Sequence, residues 1–341
     1  MPLKPLLVSA LATLGAASPL YHRAANETFV FTNANGLNFT QMNTTLPNVT
    51  IFATGGTIAG SDSSSTATTG YTAGAVGILT LIDAVPSMLD VANVAGVQVS
   101  NVASEDVTSD ILLSMSKEIT RVVCNDPTMA GAVITHGTDT LEESAFFMDA
   151  TVNCGKPVVI VGAMRPSTVV SADGPFNLLE AVTVAASPKA RDRGAMVVMN
   201  DRIASAYYPT GKVAIDVANM TAIPRVAILF SYEDMHNDTL YNAIESGAEG
   251  IVIAGAGAGG VTTSFNYAIE DAINRLEIPV VQSMRTVNGD VPLSDVSSDT
   301  ATHIASGYLN PQKSRVLLGL LLAEGKNITE IAEVFALGTD A

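Results

Sequence analysis

Residues Gly131–Glu143 read Gly-Ala-Val-Ile-Thr-His-Gly-Thr-Asp-Thr-Leu-Glu-Glu and combine the features of a strand, a turn and a helix start. The run Ala132–Thr135 is apolar and β-branched, which is typical of a buried strand. A turn at His136-Gly137 ends that run. The spacing of Thr140 and Glu143 then predicts a capping box at the start of a helix.

Thr138 and Asp139 therefore fall at the C-terminal end of the predicted strand, where open α/β sheets bind their ligands. A hydroxyl and a carboxylate side by side at that edge favour a catalytic or binding role. The alternative is that both residues only cap the following helix.

A second stretch of the same kind lies earlier in the chain. Val49–Ala53 predicts a buried strand, and Thr-Gly-Gly-Thr-Ile-Ala-Gly follows it at 54–60. Two adjacent glycines permit positive φ and a close approach of the backbone to a ligand. The small, polar run Gly60–Gly70 is long for a connector, so it predicts a mobile lid with Tyr71 just beyond its end. A passive linker is the alternative.

Predicted strands alternate with predicted helices along the rest of the chain, which implies βαβ units and a largely parallel sheet. The strands are Gln98–Val102, Val158–Gly162, Ala195–Asn200, Arg225–Tyr232, Gly250–Ala254 and Pro279–Gln282. The helices are Ile78–Val85, Ser109–Val123, Asp238–Ser246, Asn266–Leu276, Gln312–Ala323 and Ile328–Phe335. We predict an α/β protein with a large domain at 47–212, whose mainly parallel sheet is flanked by helices, a linker at 213–223, and a smaller α/β domain at 224–341.

Composition excludes some classes of partner. The chain has 341 residues, of which 48% are hydrophobic and 15% charged, as in a compact globular protein. It carries 17 Lys and Arg against 33 Asp and Glu, a formal net charge of −16. This balance argues against nucleic acid or an anionic membrane as a partner.

The N-terminus has the pattern of a secretory signal peptide over Met1–Ser18. Lys4 supplies the positive charge, Leu6–Leu14 the short apolar core, and Ala16-Ala17-Ser18 the small residues near a cleavage site. We therefore expect the protein outside the cell or in the cell wall. A buried N-terminal helix is the alternative.

The next segment, Pro19–Leu46, is polar and aperiodic, which predicts a solvated, glycosylated arm with folded structure beginning near Pro47. Secretion agrees with the acceptor pattern Asn-x-Ser/Thr, which occurs at Asn26, Asn38, Asn43, Asn48, Asn219, Asn237 and Asn327.

The chain has two cysteines, Cys124 and Cys154. In an oxidising compartment they could form a bridge that stabilises the fold by about 3–4 kcal/mol on the chain-entropy model. Two free thiols in the core are the alternative.

Three predicted strand-end loops carry hydroxyls or carboxylates: Thr57, then Ser104 with Glu105, then Thr138 with Asp139. Parallel strands bring such loops to one edge of a sheet, where they would form a pocket with two candidate threonine nucleophiles. A threonine hydroxyl needs a neighbouring base to remove its proton. Backbone N–H groups of the turn at 55–57 could stabilise an oxyanion.

Both threonine motifs resemble the paired signatures of bacterial-type asparaginases and asparaginase/glutaminases, most closely the secreted type II L-asparaginases. The resemblance continues through Gly-Ala-Met-Arg-Pro-Ser-Thr at 162–168, Ser-Ala-Asp-Gly-Pro-Phe-Asn at 171–177, Val-Val-Met-Asn-Asp at 197–201 and Asn-Pro-Gln-Lys at 310–313. It implies hydrolysis of L-asparagine to L-aspartate and ammonia through a covalent acyl-threonine, with minor glutaminase activity. It also implies that no cofactor is needed and that the protein is a homotetramer.

The family pattern assigns roles to individual residues. It implies that Thr57 attacks the side-chain amide, that the lid residue Tyr71 assists, and that Thr138 helps to activate the attacking groups. It implies that Asp139 binds the α-ammonium group of the substrate. The bridge between Cys124 and Cys154 is also a family feature.

Two further substrate-binding positions follow from the same resemblance. A Ser-Gln pair of the family falls on Ser104-Glu105, so the second position is Glu here, which leaves the fine substrate preference open. In relatives a neighbouring subunit lends an acidic residue from the small domain, and Asp295 is the nearest match.

Rival chemistries have less support. Gly255-x-Gly257-x-x-Gly260 is formally a dinucleotide fingerprint, but the next predicted strand ends on the amide Gln282 instead of a ribose-binding acid. The four histidines have no metal-ligand spacing.

One family element is missing. Relatives carry a catalytic lysine in a Val-Thr-Lys-Thr context after the strand that matches Val197–Asn200. Here Asn200–Tyr208 runs directly into Pro209–Asp216, which resembles the family's later linker. Lys212 is the only nearby lysine and lies in that linker context. The expectation is an asparaginase fold with reduced activity, through mis-splicing or a faulty gene model.

Overall fold

A computed structural model of the chain describes residues 29–62, 64–66, 70–206, 213–296 and 301–337. The strands form two sheets, one built from residues before the segment 213–223 and the other from residues after it. No helix in these ranges is long and apolar enough to cross a membrane.

The larger sheet has eight strands in the order β1-β2-β4-β3-β5-β6-β7-β8. The strands are β1 Phe31–Thr32, β2 Asn38–Phe39, β3 Asn48–Gly55, β4 Asn93–Val102, β5 Met129–Thr135, β6 Val158–Val161, β7 Ala195–Met199 and β8 Arg202–Ser205. The five strands from β4 to β7 in this order pair in parallel, with Ile51 of β3 opposite Gly96 and Val133. β1, β2 and β8 pair antiparallel at the two edges.

Helices cover both faces of this sheet, because the parallel strands are apolar on both sides. They are α1 Ile78–Asp83, α2 Ser109–Ile119, α3 Leu141–Thr151 and α4 Gly174–Ala186, and a π-helical turn, Thr120–Cys124, continues α2. One core lies under α2 and α3, and a second lies under α1 and α4. The predicted mainly parallel large domain is confirmed.

The smaller sheet is wholly parallel in the order β12-β11-β10-β9. Its strands are β9 Val226–Phe230, β10 Gly250–Gly255, β11 Val280–Met284 and β12 Ile304–Ala305. Its helices are α5 Asp238–Glu245, α6 Thr263–Asn274, α7 Leu293–Val296, α8 Pro311–Ala323 and α9 Ile328–Ala336. The predicted second α/β domain is therefore present as well.

Helix α8 joins the two domains. Arg315 Nη2 lies 2.8 Å from Glu143 Oε2 on α3, and Lys313 Nζ donates to the Ala206 carbonyl at 2.8 Å. Burial lowers the pKa of Lys313, although the carboxylates of Glu142 and Asp149 oppose the shift. The first turn of α8 thus holds the small domain against α3 and the end of β8.

The structure corrects the prediction of a solvated arm at 19–46 for its described part, residues 29–46. Residues 31–39 form a hairpin that pairs with β4 through Phe39 and Ala95, and Leu37 and Phe39 are buried. The amides of Asn33 and Asn35 both donate to Asp126 Oδ2. Folded structure therefore begins before Pro47, because two buried apolar side chains and a carboxylate anchor this polar segment.

The predicted disulfide is confirmed. Cys124 and Cys154 are joined, with their Cα atoms 5.5 Å apart, so the two cysteines are not free thiols. The bridge connects the end of the α2 segment to the loop after α3. Lys156 lies beside it and donates to the carbonyls of Val123 and Asp126.

Candidate active site

Three strand-end loops meet at the C-terminal edge of the larger sheet. A Cβ atom built on Gly56 would stand 2.3 Å from the backbone nitrogen of Gly137. One built on Gly137 would stand 2.9 Å from Ser104 Oγ. The structure therefore brings together the loops that carry Thr57, Ser104 and Thr138, as parallel pairing predicts.

Hydrogen bonds fix the first of these loops. Thr54 Oγ1 donates to the carbonyl of Thr135 on the neighbouring strand at 2.9 Å. Gly56 has φ 73° and ψ −170°, a backbone conformation that is unfavourable for any residue with a Cβ atom. Its N–H donates to the Val102 carbonyl at 2.9 Å, so it is not available to an oxyanion. This corrects part of the predicted oxyanion site and leaves the N–H of Thr57 as its candidate donor.

Thr57 and Tyr71 are in direct contact. Thr57 Oγ1 lies 2.6 Å from the Tyr71 hydroxyl, a short hydrogen bond. The tyrosine ring packs on Gly60, where an added Cβ would stand 2.8 Å from Tyr71 Cδ2. Ser61 and Thr72 pair antiparallel and close the base of the intervening loop. The predicted lid, 60–70, lies partly outside the described residues, and its mobility stays a prediction.

Thr138 and Asp139 follow β5, as predicted. Thr138 is half-buried, and its methyl group packs on Gly162 at the end of β6. Asp139 is exposed. The carboxylate is thus free to meet a ligand from solvent.

The predicted capping box at the start of α3 is wrong. Thr140 occupies the N-cap position, but its side chain does not cap the helix. Thr140 Oγ1 instead donates to the Ser104 carbonyl at 2.8 Å. Glu143 pairs with Arg315 of the small domain. Both side chains are used between elements: one joins two site loops, and the other joins the domains.

The contact from Thr140 positions the turn that bears Ser104 and Glu105. Ser104 is buried against Gly137, whereas Glu105 is exposed next to it. The turn is a short 3-10 helix, Ser104–Asp106, that directly follows β4. Glu105 and Asp139 therefore sit on neighbouring strand-end loops, and both are open to solvent.

His136 is a supporting residue that the sequence did not single out. Its ring is buried, with Nδ1 2.8 Å from the Gly137 carbonyl and Nε2 2.9 Å from Ser144 Oγ. Burial lowers the pKa of His136, so the ring is neutral, with the proton on Nδ1 and Nε2 accepting from the serine. The imidazole ties the loop before Thr138 to α3. The sequence could have indicated this role, because His136 follows a predicted strand and stands eight residues before Ser144 on the predicted helix.

Two predicted residues, Asp295 and Lys212, are not seen at the C-terminal edge of the larger sheet in the described part of the chain. Asp295 is exposed in the small domain, where it lines a cavity of about 350 Å³ beside Gly259 and Gln282. Lys212 lies outside the described residues. Three of the described lysines donate to backbone carbonyls: Lys117 to Met220, and Lys156 and Lys313 to the carbonyls given above.

The glycine-rich loop after β10 folds back on itself. Ala256 and Gly260 exchange two backbone hydrogen bonds, and a Cβ on Gly255 would lie 2.4 Å from Gly259. Gln282 donates to the Gly259 carbonyl and contacts His303 Nδ1. These glycines are explained by the tight loop. Within the described part of the chain, no group of three or more His, Cys, Asp or Glu residues could hold a metal ion.

Comparison with known proteins agrees with this geometry. The family model "Asparaginase, N-terminal" matches residues 48–228, and "Glutaminase/Asparaginase C-terminal domain" matches residues 225–335. The chain belongs to the asparaginase/glutaminase family. The junction of the two family domains falls where the first sheet gives way to the second.

Curated relatives of this asparaginase-family chain align over most of its length. It is 44% identical to "Probable L-asparaginase 1" of Schizosaccharomyces pombe, over 89% of this chain and 93% of the relative. It is 40% identical to "L-asparaginase 2" of Escherichia coli, over 85% of this chain and 93% of the relative.

A solved structure shows the same fold. The crystal structure of a "Probable Cytoplasmic L-asparaginase" from Campylobacter jejuni superposes with a TM-score of 0.78 at 37% identity. The match covers 85% of this chain and 99% of that one. The two-domain architecture is therefore that of the asparaginase fold.

Proposed function

We propose that this chain is an L-asparaginase that hydrolyses L-asparagine to L-aspartate and ammonia through a covalent acyl-threonine on Thr57. The observation that carries the proposal is the 2.6 Å contact between Thr57 Oγ1 and the Tyr71 hydroxyl. A threonine becomes a competent nucleophile only when a neighbouring group takes its proton, and Tyr71 is positioned to do so. No cofactor enters this route.

The reaction has two stages. Thr57 Oγ1 attacks the carboxamide carbon while its proton passes to the Tyr71 oxygen and the Tyr71 hydroxyl proton passes to the leaving nitrogen. The bond from the carbon to that nitrogen then breaks, and ammonia leaves. Water then attacks the acyl-threonine and releases aspartate. The N–H of Thr57 is the oxyanion donor that the loop leaves open, because the N–H of Gly56 is bonded to Val102.

The neighbouring loops would hold the substrate. Asp139 and Glu105 offer exposed carboxylates to the α-ammonium group, and Ser104 and Thr138 offer hydroxyls. Glu105 adds a negative charge where the family pattern has an amide. We propose asparagine as the main substrate, with minor turnover of glutamine.

Assembly and location form part of the proposal. A homotetramer would let Asp295 of a neighbouring subunit reach the site, which agrees with its exposure in the small domain. The signal-like segment 1–18 and the disulfide between Cys124 and Cys154 support secretion of a type II enzyme.

The test is release of ammonia from asparagine by purified protein. We expect Thr57→Ala and Thr138→Ala each to abolish it while far-ultraviolet circular dichroism stays unchanged. Thr183→Ala is the matched control, because Thr183 is exposed on α4 and bonds only its own helix. Near-normal turnover by either site variant would remove that residue from the mechanism.

A second candidate is an asparaginase-fold protein with impaired activity. It is favoured by the missing lysine segment and by the backbone carbonyls that already accept from Lys117, Lys156 and Lys313. Loss of general-base assistance typically lowers a rate by about 10²–10⁴-fold. The test compares kcat for asparagine with that of a version carrying a relative's lysine segment. Equal rates, with Lys212→Ala abolishing both, would show instead that Lys212 has replaced the missing lysine.

A further inference from the structure

The asparagine acceptor motifs differ in how their side chains are used. Six of the seven lie in the described part of the chain: Asn38, Asn43, Asn48, Asn219, Asn237 and Asn327. Among these six described motifs, only Asn43-Thr44-Thr45 has a hydroxyl that bonds to the carboxamide of its own asparagine two residues earlier. Thr45 Oγ1 donates to Asn43 Oδ1 at 2.8 Å, and the Thr45 N–H donates to the same oxygen at 3.0 Å.

This geometry suits attack by the amide nitrogen. Two donors on Oδ1 draw electron density to the oxygen and make the protons on Nδ2 more acidic. In the described structure Nδ2 of Asn43 has no hydrogen-bond partner, and the residue is exposed. Because the bonds span only two residues, this turn can form before the domain has folded.

The backbone of Asn43 is anchored, while Nδ2 of its side chain has no partner in the described structure. The Asn43 N–H donates to Asn93 Oδ1 at 2.8 Å, and Asn93 Nδ2 donates to the Asn43 carbonyl at 2.9 Å. Asn93 is the first residue of β4 and pairs with Asn48, the first residue of β3. Asn43 therefore lies at the N-terminal edge of the parallel strands, opposite the edge that carries Thr57. A bulky group there leaves the candidate active site open.

The other motifs lack this arrangement. Asn38 Oδ1 accepts from Thr32, and Thr40 Oγ1 contacts the Val94 carbonyl. Asn48 Oδ1 accepts from Asn93, and the hydroxyl of Thr50 is buried without a partner among the described residues.

Two of the remaining motifs lie at helix starts. Asn327 Oδ1 caps α9 through the Glu330 N–H. In the Asn237 motif, Thr239 Oγ1 donates to the His236 carbonyl instead of to its asparagine. Asn219 and Thr221 are both exposed, and no hydrogen bond joins their side chains in the described structure.

We propose that Asn43 is the preferred acceptor of an N-linked oligosaccharide when the chain passes through a secretory pathway. The donor class is a lipid-pyrophosphate-linked oligosaccharide. A bond forms between Asn43 Nδ2 and the anomeric carbon of the first sugar, and the bond from that carbon to the pyrophosphate oxygen breaks. The amide proton passes to a base of the transferring enzyme, and the lipid pyrophosphate leaves with the bonding electron pair.

The experiment is site-resolved glycan occupancy on the full chain exported by a glycosylating host. Enzymatic removal of glycans in heavy-oxygen water converts each occupied Asn to a labelled Asp that peptide mass spectrometry counts. We expect the highest occupancy at Asn43, its loss in Thr45→Ala and its retention in Thr45→Ser. Asn43→Gln should lower the protein mass by one glycan, whereas the matched Asn38→Gln should change it little.

Two outcomes would overturn the proposal. One is exported protein in which Asn43 is unoccupied while other motifs carry glycans. The other is occupancy at Asn43 that is no higher than at the other motifs. A parallel version preceded by the host's own signal guarantees export, so that an absence of glycan at Asn43 counts against the site. The experiment measures glycan occupancy and not catalytic activity, so its result does not depend on whether the proposed reaction is correct.

Discussion

Gly56 and Gly137 lie backbone to backbone, so close that a Cβ on Gly56 would stand 2.3 Å from the Gly137 nitrogen. These are the residues immediately before Thr57 and Thr138. The glycines therefore set the separation of the two loops that would carry the reaction. The sequence predicted that the adjacent glycines at 55–56 let a ligand approach the backbone. In the structure, Gly56 instead lets the loop that carries Thr138 approach.

Gly56→Ala should separate these loops. The new methyl group meets backbone, which cannot move aside as a flexible side chain can, and an unfavourable φ/ψ adds about 1–3 kcal/mol of strain. We expect loss of ammonia release and a lower urea midpoint. Gly257→Ala is the control, because Gly257 also has positive φ but no heavy atom within 4 Å of the added Cβ. Equal effects of the two substitutions would show that loop contact is unimportant.

Tyr71→Phe tests the proton acceptor for Thr57. The ring that packs on Gly60 is retained and only the hydroxyl is removed, so the fold should be unchanged. We expect kcat for asparagine to fall by about 10²–10⁴-fold, with a smaller change in KM. Tyr267→Phe, at an exposed tyrosine of the small domain, should leave kcat unchanged. A Tyr71→Phe enzyme with wild-type kcat would exclude the hydroxyl from proton transfer.

Asp126→Asn tests the anchor of the N-terminal hairpin. Burial would raise the pKa of Asp126, but bonds from Thr128 and Asn35 and the charge of Lys156 outweigh it and hold the pKa below the usual 3.8. Because the folded-state pKa is depressed, the carboxylate contributes stability above the usual value, and this contribution is lost as the pH falls through the folded-state pKa.

The measurement is the urea midpoint of wild type and variant across pH. We expect the variant to be less stable at neutral pH and the difference to close in acid. Asp90→Asn, at an exposed aspartate, is the control for removal of a carboxylate outside the hairpin anchor. A difference that persists unchanged in acid would assign the effect to packing instead of to the charge.

Ile203→Lys tests the edge of the larger sheet. Strand β8 is the last strand in the order, all four of its residues are exposed, and Ile203 is 61% exposed. An apolar edge strand can recruit a second chain, and a charge there opposes this. We expect less scattering from large aggregates in concentrated solution. Val287→Lys, at a 96% exposed valine outside any strand, should leave aggregation unchanged. If both variants behave alike, the edge is not the source.

Periodicity and parallel pairing predicted the layers of this fold and the meeting of its loops. β3 and β5 are short apolar runs that end in glycine-containing turns, so their position and the side on which Thr57 and Thr138 emerge could be inferred. The antiparallel edges could not be inferred. β1 and β2 have two residues each, and β8 is exposed along its whole length, so none of them has the apolar pattern of a buried strand.

Side-chain partners across the site were less accessible to prediction. The spacing of Thr140 and Glu143 fits a capping box, but both side chains have partners more than thirty residues away. A local motif cannot show which tertiary acceptor will compete for the same hydroxyl. The contact of Thr57 with Tyr71 joins residues 14 apart in the chain, and the family resemblance, not the spacing, pointed to it.

The bond from Thr54 to the Thr135 carbonyl joins residues 81 apart in the chain. The candidate active site is therefore built from segments that are distant in the sequence. It cannot form in any folding intermediate in which β3 and β5 are not yet paired. Contacts of such long sequence separation form slowly, because the loop entropy is lost before the contacts are gained. During refolding, enzymatic activity should consequently appear after the helical circular dichroism signal, and its lag would time the assembly of the central strands.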